Sequence, residues 1–226
     1  MSIYTGIILI GFGDLSVLAA ETAACFPGAA VVTARSLSEA PEALGAGTPF
    51  VQPVYLLPGV KYEALRQETK RHVGRIGLGK PLLRNESAVG RLGGVLAETC
   101  ENRRTLFVGH GTGARCAWMY TALQAVLHQR SGGRTCVSVL DGAPGWAAAR
   151  RWIIDHKIDA LRLAPLTMGL GRHAGADILS GAPGSVRARL AALGVGVEAV
   201  AKGLLDYPAV REMFIDVLKT QFAPPG

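Results

Sequence analysis

Aromatic residues are scarce in this chain: Phe, Trp and Tyr make up 6% of its 226 residues. The four cysteines, Cys25, Cys100, Cys116 and Cys136, form no C-x-x-C pair and no zinc-ligand spacing. That excludes a disulfide-stapled fold and a structural zinc module, and it points to reduced, buried thiols. No uninterrupted apolar run reaches membrane-spanning length, because Asp14 and Glu21 break the one near the start. That run also lacks the basic residues that precede the apolar core of a signal peptide. A cytoplasmic protein without a membrane partner is therefore expected. The 24 Lys and Arg against 17 Asp and Glu leave a net charge of +7, but the basic residues are dispersed and do not interleave with aromatics. A nucleic-acid partner finds no support in this pattern, and a small polyanion suits it better.

What the chain has in quantity is apolar residues, 49%, and 29 glycines. Glycine takes positive φ without steric penalty, so this composition suits many tight strand-to-helix turns and hence an α/β fold. Strands are expected at Tyr4 to Ile10, Ala30 to Thr33, Phe50 to Leu56 and Ile76 to Leu83. Between them, short helices are expected at Leu15 to Cys25, Leu37 to Leu44 and Tyr62 to Val73. The pattern then repeats. Helices are expected at Ser87 to Cys100, Ala114 to Gln129, Trp146 to His156, Ser185 to Leu193 and Pro208 to Gln221. Strands are expected at Thr105 to Gly109, Thr135 to Leu140, Ile158 to Pro165 and Val195 to Val200. Ser185 serves as an N-cap and Pro208 as a first-turn residue. The expectation is an α/β fold of two similar, small, doubly wound parallel-sheet domains. The first spans 1–86 with helix 208–221 packed on it, the second spans 87–207, and their strand carboxyl ends face a shared cleft.

Of five histidines, His72, His128 and His156 fall on or at the ends of polar helix faces, where a solvated role suffices. His110 and His173 instead follow apolar strands in glycine-flanked loops, and Asp141 ends the strand between them. Two imidazoles and a carboxylate suit a first-row divalent metal at roughly 2.0–2.2 Å, without naming the metal. Either imidazole can also accept a proton near neutrality. The same glycines admit a second reading. Gly109 to Ala114 fits G-x-G-x-x-A before a helix, a phosphate cradle for a dinucleotide, although Asp141 lies farther on than the usual ribose-binding acid.

The order of several short motifs resembles a known family. Gly11-Phe12-Gly13 follows the first strand, and Val51-Gln52-Pro53-Val54-Tyr55-Leu56-Leu57-Pro58-Gly59 leads to Tyr62-Glu63. Val108-Gly109-His110-Gly111 comes next, then Pro165-Leu166 leading to His173-Ala174 and Asp177. Gly203-Leu204 and the run Pro208 to Phe214 close the series. Together they resemble the anaerobic sirohydrochlorin cobaltochelatases of the class II chelatases, the CbiK type. The resemblance implies an enzyme, a lyase of cobalamin biosynthesis, that inserts Co(II), or alternatively Fe(II) or Ni(II), into sirohydrochlorin or a related anionic tetrapyrrole without a nucleotide. It maps the metal and catalytic residues onto His110, His173 and Asp141. Tyr55, Gly11, Phe12, Arg115, Arg172 and Lys61 are further candidates to contact the tetrapyrrole, and the oligomeric state is left open. The chain departs from the family pattern at Asp141, which stands for a glutamate, at Arg172 for an aspartate, at Ala176 for an asparagine, at Tyr55 for a histidine and at Lys61 for an acid. The alternatives are a paralogue that binds a tetrapyrrole or a metal without chelation, and a nucleotide-binding α/β protein.

Overall fold

The computed structural model describes residues 4–40, 48–71, 76–172 and 174–222. The expected helical residues 41–44 and 73, together with His72 and His173, lie outside them. The chain forms two units, Met1–Arg84 with Tyr207–Gly226, and Asn85–Asp206.

In the first unit β1 (Gly6–Ile10), β2 (Ala30–Ala34), β3 (Pro49–Pro53) and β4 (Gly77–Leu78) form a parallel sheet in the order β2-β1-β3-β4. β1 is buried along its whole length. A continuous apolar, β-branched run is what a strand covered on both faces requires. Helices α1 (Ser16–Cys25) and α2 (Val60–Lys70) follow β1 and β3. The expected helix after β2 is a single 3₁₀ turn, Leu37–Glu39, among the described residues.

The expected strand from Ile76 to Leu83 shrinks to the two residues of β4. A side chain at Gly77 would sit 2.4 Å from the Tyr4 ring, and one at Gly79 would sit 2.3 Å from Gln52 Oε1. The chain then leaves the sheet, and the Leu82 and Leu83 amides donate to the carbonyls of Tyr55 (3.0 Å) and Leu56 (2.9 Å). Those two bonds stitch down the loop that carries Tyr55.

The second unit repeats the plan. Helix α3 (Glu86–Thr99) leads into β5 (Thr105–Gly111), α4 (Trp118–Ser131), β6 (Thr135–Asp141), α5 (Trp146–Asp155), β7 (Ala160–Pro165), α6 (Val186–Ala192) and β8 (Gly196–Ala199). The sheet is again parallel, in the order β6-β5-β7-β8. Ser185 caps α6, its hydroxyl accepting from the Ala188 amide at 3.1 Å. One face of the sheet packs Leu106, Val108 and Leu163 on α5, α6 and their surroundings through Trp152, Ile153, Ile178 and Leu190. On the other face α3 and α4 approach closely at Gly93, where a β-carbon would lie 2.4 Å from Val126.

Two features of this unit differ from expectation. α4 starts at Trp118 rather than Ala114, after a 3₁₀ turn at Arg115–Ala117. A π-helix, Ala174–Leu179, stands where only a loop was expected.

The closing helix α7 (Pro208–Gln221) returns to the first unit. It buries Val210, Met213, Phe214, Val217 and Leu218, the i, i+3, i+4, i+7, i+8 stripe of a helix with one apolar face. Arg211 grips Glu21 of α1 in a bidentate pair, with Nε at 2.9 Å from both carboxylate oxygens and a second nitrogen at 2.8 Å. Truncating a fully buried aromatic removes its transfer energy and leaves a cavity. Phe214→Ala should therefore lower the unfolding free energy by about 3–5 kcal/mol, read from the urea midpoint at unchanged slope.

Candidate metal centre

In a parallel sheet of this order, ligands bind where the connections leave in opposite directions, between the carboxyl ends of the first and third strands of the repeat. In the second unit those strands are β5 and β7. Val108 of β5 pairs with Pro165 of β7, and the Leu166 amide donates to the Val108 carbonyl at 2.7 Å. His110 stands two residues beyond Val108, exposed, at this position.

Two packing demands fix its turn. Gly111 lies opposite Asp141 in the ladder with φ at +93°, and a β-carbon on it would be 1.8 Å from the Asp141 carbonyl oxygen. A β-carbon on Gly109 would be 2.7 Å from the ring of Tyr120 on α4. Both glycines are therefore required by the chain's own neighbours. The G-x-G-x-x-A segment also lacks the direct strand-to-helix turn of a dinucleotide site, because β5 runs through Gly111 and α4 begins at Trp118.

Tyr120 was not singled out by sequence reasoning, since a tyrosine among the apolar residues of a helix carries no functional signal. Burial pushes its phenol up to about 12, although a backbone hydrogen bond from Gly111 acts in the opposite direction. It is a neutral strut beneath the histidine turn.

Side chains alternate across a strand, so Leu106, Val108 and His110 share one face of β5, the face that packs on Ile178 of the π-helix. That helix starts at Ala174, one residue beyond His173. The segment before it is anchored independently. The Leu204 and Leu205 amides donate to the carbonyls of Thr167 (2.8 Å) and Met168 (2.9 Å). At Gly203, a β-carbon would lie 2.6 Å from Gly169. His173 itself lies outside the described residues.

Asp141 is exposed at the end of the neighbouring strand, but the alternation puts it on the Gly109–Gly111 face of the sheet, opposite to His110. Adjacent backbone, not a shared face, relates the two residues. Among the described residues no three His, Cys, Asp or Glu side chains cluster to hold a metal. Arg115, in the 3₁₀ turn after β5, and Arg172, beside position 173, are both exposed. His128 and His156 are exposed as expected, and His156 Nδ1 is engaged by the Trp152 carbonyl at 2.9 Å.

The first unit has its own counterpart. The Val54 amide donates to the Ile10 carbonyl at 2.7 Å, as Leu166 does to Val108, and Gly13 has φ at +91° where Gly111 has +93°. Ile10, Gly11, Phe12 and Gly13 thus correspond to Val108, Gly109, His110 and Gly111. Phe12 is half-exposed, and its ring stacks on Tyr55 at 6.2 Å between centroids with 21° between planes. Burial holds the Tyr55 phenol above its ordinary range, with Glu68 adding to the shift. Asp14 is held below the usual carboxylate range by the Ser16 amide, which donates to its Oδ1 at 2.8 Å.

No described helix is long and apolar enough to cross a membrane. Overlap at Gly111 cannot be relieved by a side-chain rotation, because the obstacle is backbone. Gly111→Ala should cost roughly 2–4 kcal/mol of unfolding free energy, the sum of the positive-φ strain and the forced separation of β5 from β6.

Comparison with known proteins gives the fold and the site a context. The family model described as cobalt chelatase (CbiK) matches residues 42–223. The sirohydrochlorin cobaltochelatase CbiKC of Nitratidesulfovibrio vulgaris is 27% identical over 188 residues, 74% of this chain and 63% of its own length. The sirohydrochlorin cobaltochelatase of Salmonella typhimurium is 25% identical over 173 residues, 73% of this chain and 65% of its own. The chain thus spans just under two thirds of the curated relatives it matches. The solved structure of SirB from Bacillus subtilis with Fe3+ superposes with a TM-score of 0.62 at 16% identity, covering 97% of this chain and 96% of SirB. At that identity it shows a shared fold. With the family model matching well over half of its length, this chain belongs to the cobalt chelatase (CbiK) family.

Proposed function

We propose that the protein is a metal chelatase that inserts Co(II) into sirohydrochlorin or a closely related anionic tetrapyrrole, without a nucleotide, with Fe(II) and Ni(II) as further candidate metals. The observation that carries this reading is His110. An exposed imidazole is held at the switch point of a parallel sheet by two glycines that the fold does not let vary, in a chain of the cobalt chelatase family. The curated relatives named sirohydrochlorin cobaltochelatase support the same substrate and metal.

Insertion requires a hydrated ion to shed water while the macrocycle loses two N–H protons. Ligands that hold the ion too well would keep it, so a pair of imidazoles suits the task better than a closed four-ligand cage. His110 and His173 take the metal and present it. One of these imidazoles, or Asp141 on the adjacent strand end, receives the protons, one at a time, and passes them to water. Phe12, Tyr55 and the Gly11 turn make the contact to the ring in the first unit. Arg115 and Arg172 pair with its carboxylates, aided by the net charge of +7.

Purified protein mixed with sirohydrochlorin and Co(II) should give the visible spectrum of the metallated ring faster than the same mixture without protein. His110→Ala should return the rate to that blank, with a melting temperature within a few degrees of the parent because the side chain is exposed. A shift of the bound tetrapyrrole's spectrum without metallation would assign the chain to tetrapyrrole binding alone. A fully active His110→Ala would remove His110 from the site.

A further inference from the structure

The carboxyl end of the first sheet carries a cation that no described carboxylate neutralises. Lys61, exposed in the first turn of α2, holds its Nζ 5.7 Å from the centroid of the Phe12 ring. Among the described residues no carboxylate pairs with it. Glu63 is taken by Arg66, whose Nε and a second guanidinium nitrogen both lie 2.7 Å from Glu63 Oε2. Asp14 is occupied by the Ser16 amide that its Oδ1 accepts. The ammonium rests on an aromatic face instead. At an exposed site that contact is weak, and it is readily exchanged for a carboxylate partner.

The ring beneath it is itself positioned. Phe12 stacks on Tyr55, and the Tyr55 carbonyl is tied by the Leu82 amide, so both rings are held from the backbone side while Phe12 keeps half of its surface open at 50%. Half-open aromatic surface flanked by an unpaired cation is complementary to one class of ligand, a planar ring system with carboxylates at its rim.

We propose that Lys61 and Phe12 form a carboxylate-reading corner in the first unit: Phe12 contacts the edge of a planar polycarboxylate, and the Lys61 ammonium leaves the Phe12 ring to pair with one rim carboxylate. The inference rests on the tetrapyrrole reading above and adds to it a residue that sets preference among tetrapyrroles by their charge. Phe12 contributes to affinity for any such ring. Lys61 contributes only in proportion to rim carboxylates, and its contribution disappears at high salt, where the screening length falls to about 3 Å at 1 M.

The test uses two metal-free porphyrins, the octacarboxylate uroporphyrin and a dicarboxylate such as mesoporphyrin, with binding followed by porphyrin fluorescence anisotropy at low salt and at 1 M salt. An exposed ion pair changes affinity by up to about 5-fold. Lys61→Met should weaken uroporphyrin binding roughly 3- to 5-fold at low salt, weaken the dicarboxylate by a smaller factor, and match the parent at 1 M. Lys61→Arg should restore the low-salt affinity, and Phe12→Leu should weaken both ligands at either salt. Equal uroporphyrin affinity and salt dependence in the parent and Lys61→Met would overturn the role of Lys61. A parent protein that binds neither porphyrin would instead overturn the tetrapyrrole reading on which the proposal rests.

Discussion

The contact on which the candidate site depends is a steric one, between the α-carbon of Gly111 and the carbonyl of Asp141. No side chain fits there, since a β-carbon would lie 1.8 Å from the carbonyl oxygen. The left-handed backbone of Gly111, at φ +93°, turns the chain out of the ladder at its last paired position, one residue beyond His110. With Gly109 flat against Tyr120 on the preceding step, the imidazole is bracketed by two residues whose backbone has no alternative position. A metal-transferring ligand benefits from this arrangement. It must be presented without a neighbouring side chain in the way, yet it cannot wander, because its reach to the ion is fixed within tenths of an ångström.

The same backbone device appears twice. Gly11-Phe12-Gly13 follows β1 and Gly109-His110-Gly111 ends β5, with matching amide bonds from the residue after the third strand of each sheet and nearly identical positive φ at the second glycine. One copy presents a ring and the other an imidazole. At this position of the repeated unit the two copies thus carry different side chains, Phe12 and His110, on the same backbone turn. Lys61 extends the difference, because a cation over Phe12 suits an anionic ring and would oppose a metal ion at that position.

Much of this was legible in the residues. β1 read directly as a buried strand because it is apolar throughout, β5 because Leu106, Phe107 and Val108 form a continuous apolar run, and α7 because Pro208 opens it and its apolar stripe runs unbroken to Leu218. The fold followed from the alternation of strands and helices, and the family from the order of several short motifs along the chain. What could not be read was set by contacts distant in sequence. Gly77 and Gly79 truncate β4 because Tyr4, Phe50 and Gln52 occupy the space beside them. The π-helix after position 173 arises in a segment with glycines at 171 and 175, whose local propensity favours no regular element. Its place is decided by Ile178 joining the cluster around Leu106 and Val108. Tyr120 escaped notice for the same reason, since its importance lies in Gly109 and Gly111 rather than in its own helix.

In the proposed function His110 and His173 together receive the metal. Titrating the protein with Co(II) in the absence of tetrapyrrole and following the imidazole proton resonances addresses it directly, because the paramagnetic ion displaces only signals close to it. The account predicts that the His110 and His173 resonances shift and broaden together at one equivalent of metal, while those of His128 and His156 stay in place. Displacement of His128 or His156 instead, or shifts of His110 and His173 at separate metal concentrations, would contradict a shared site.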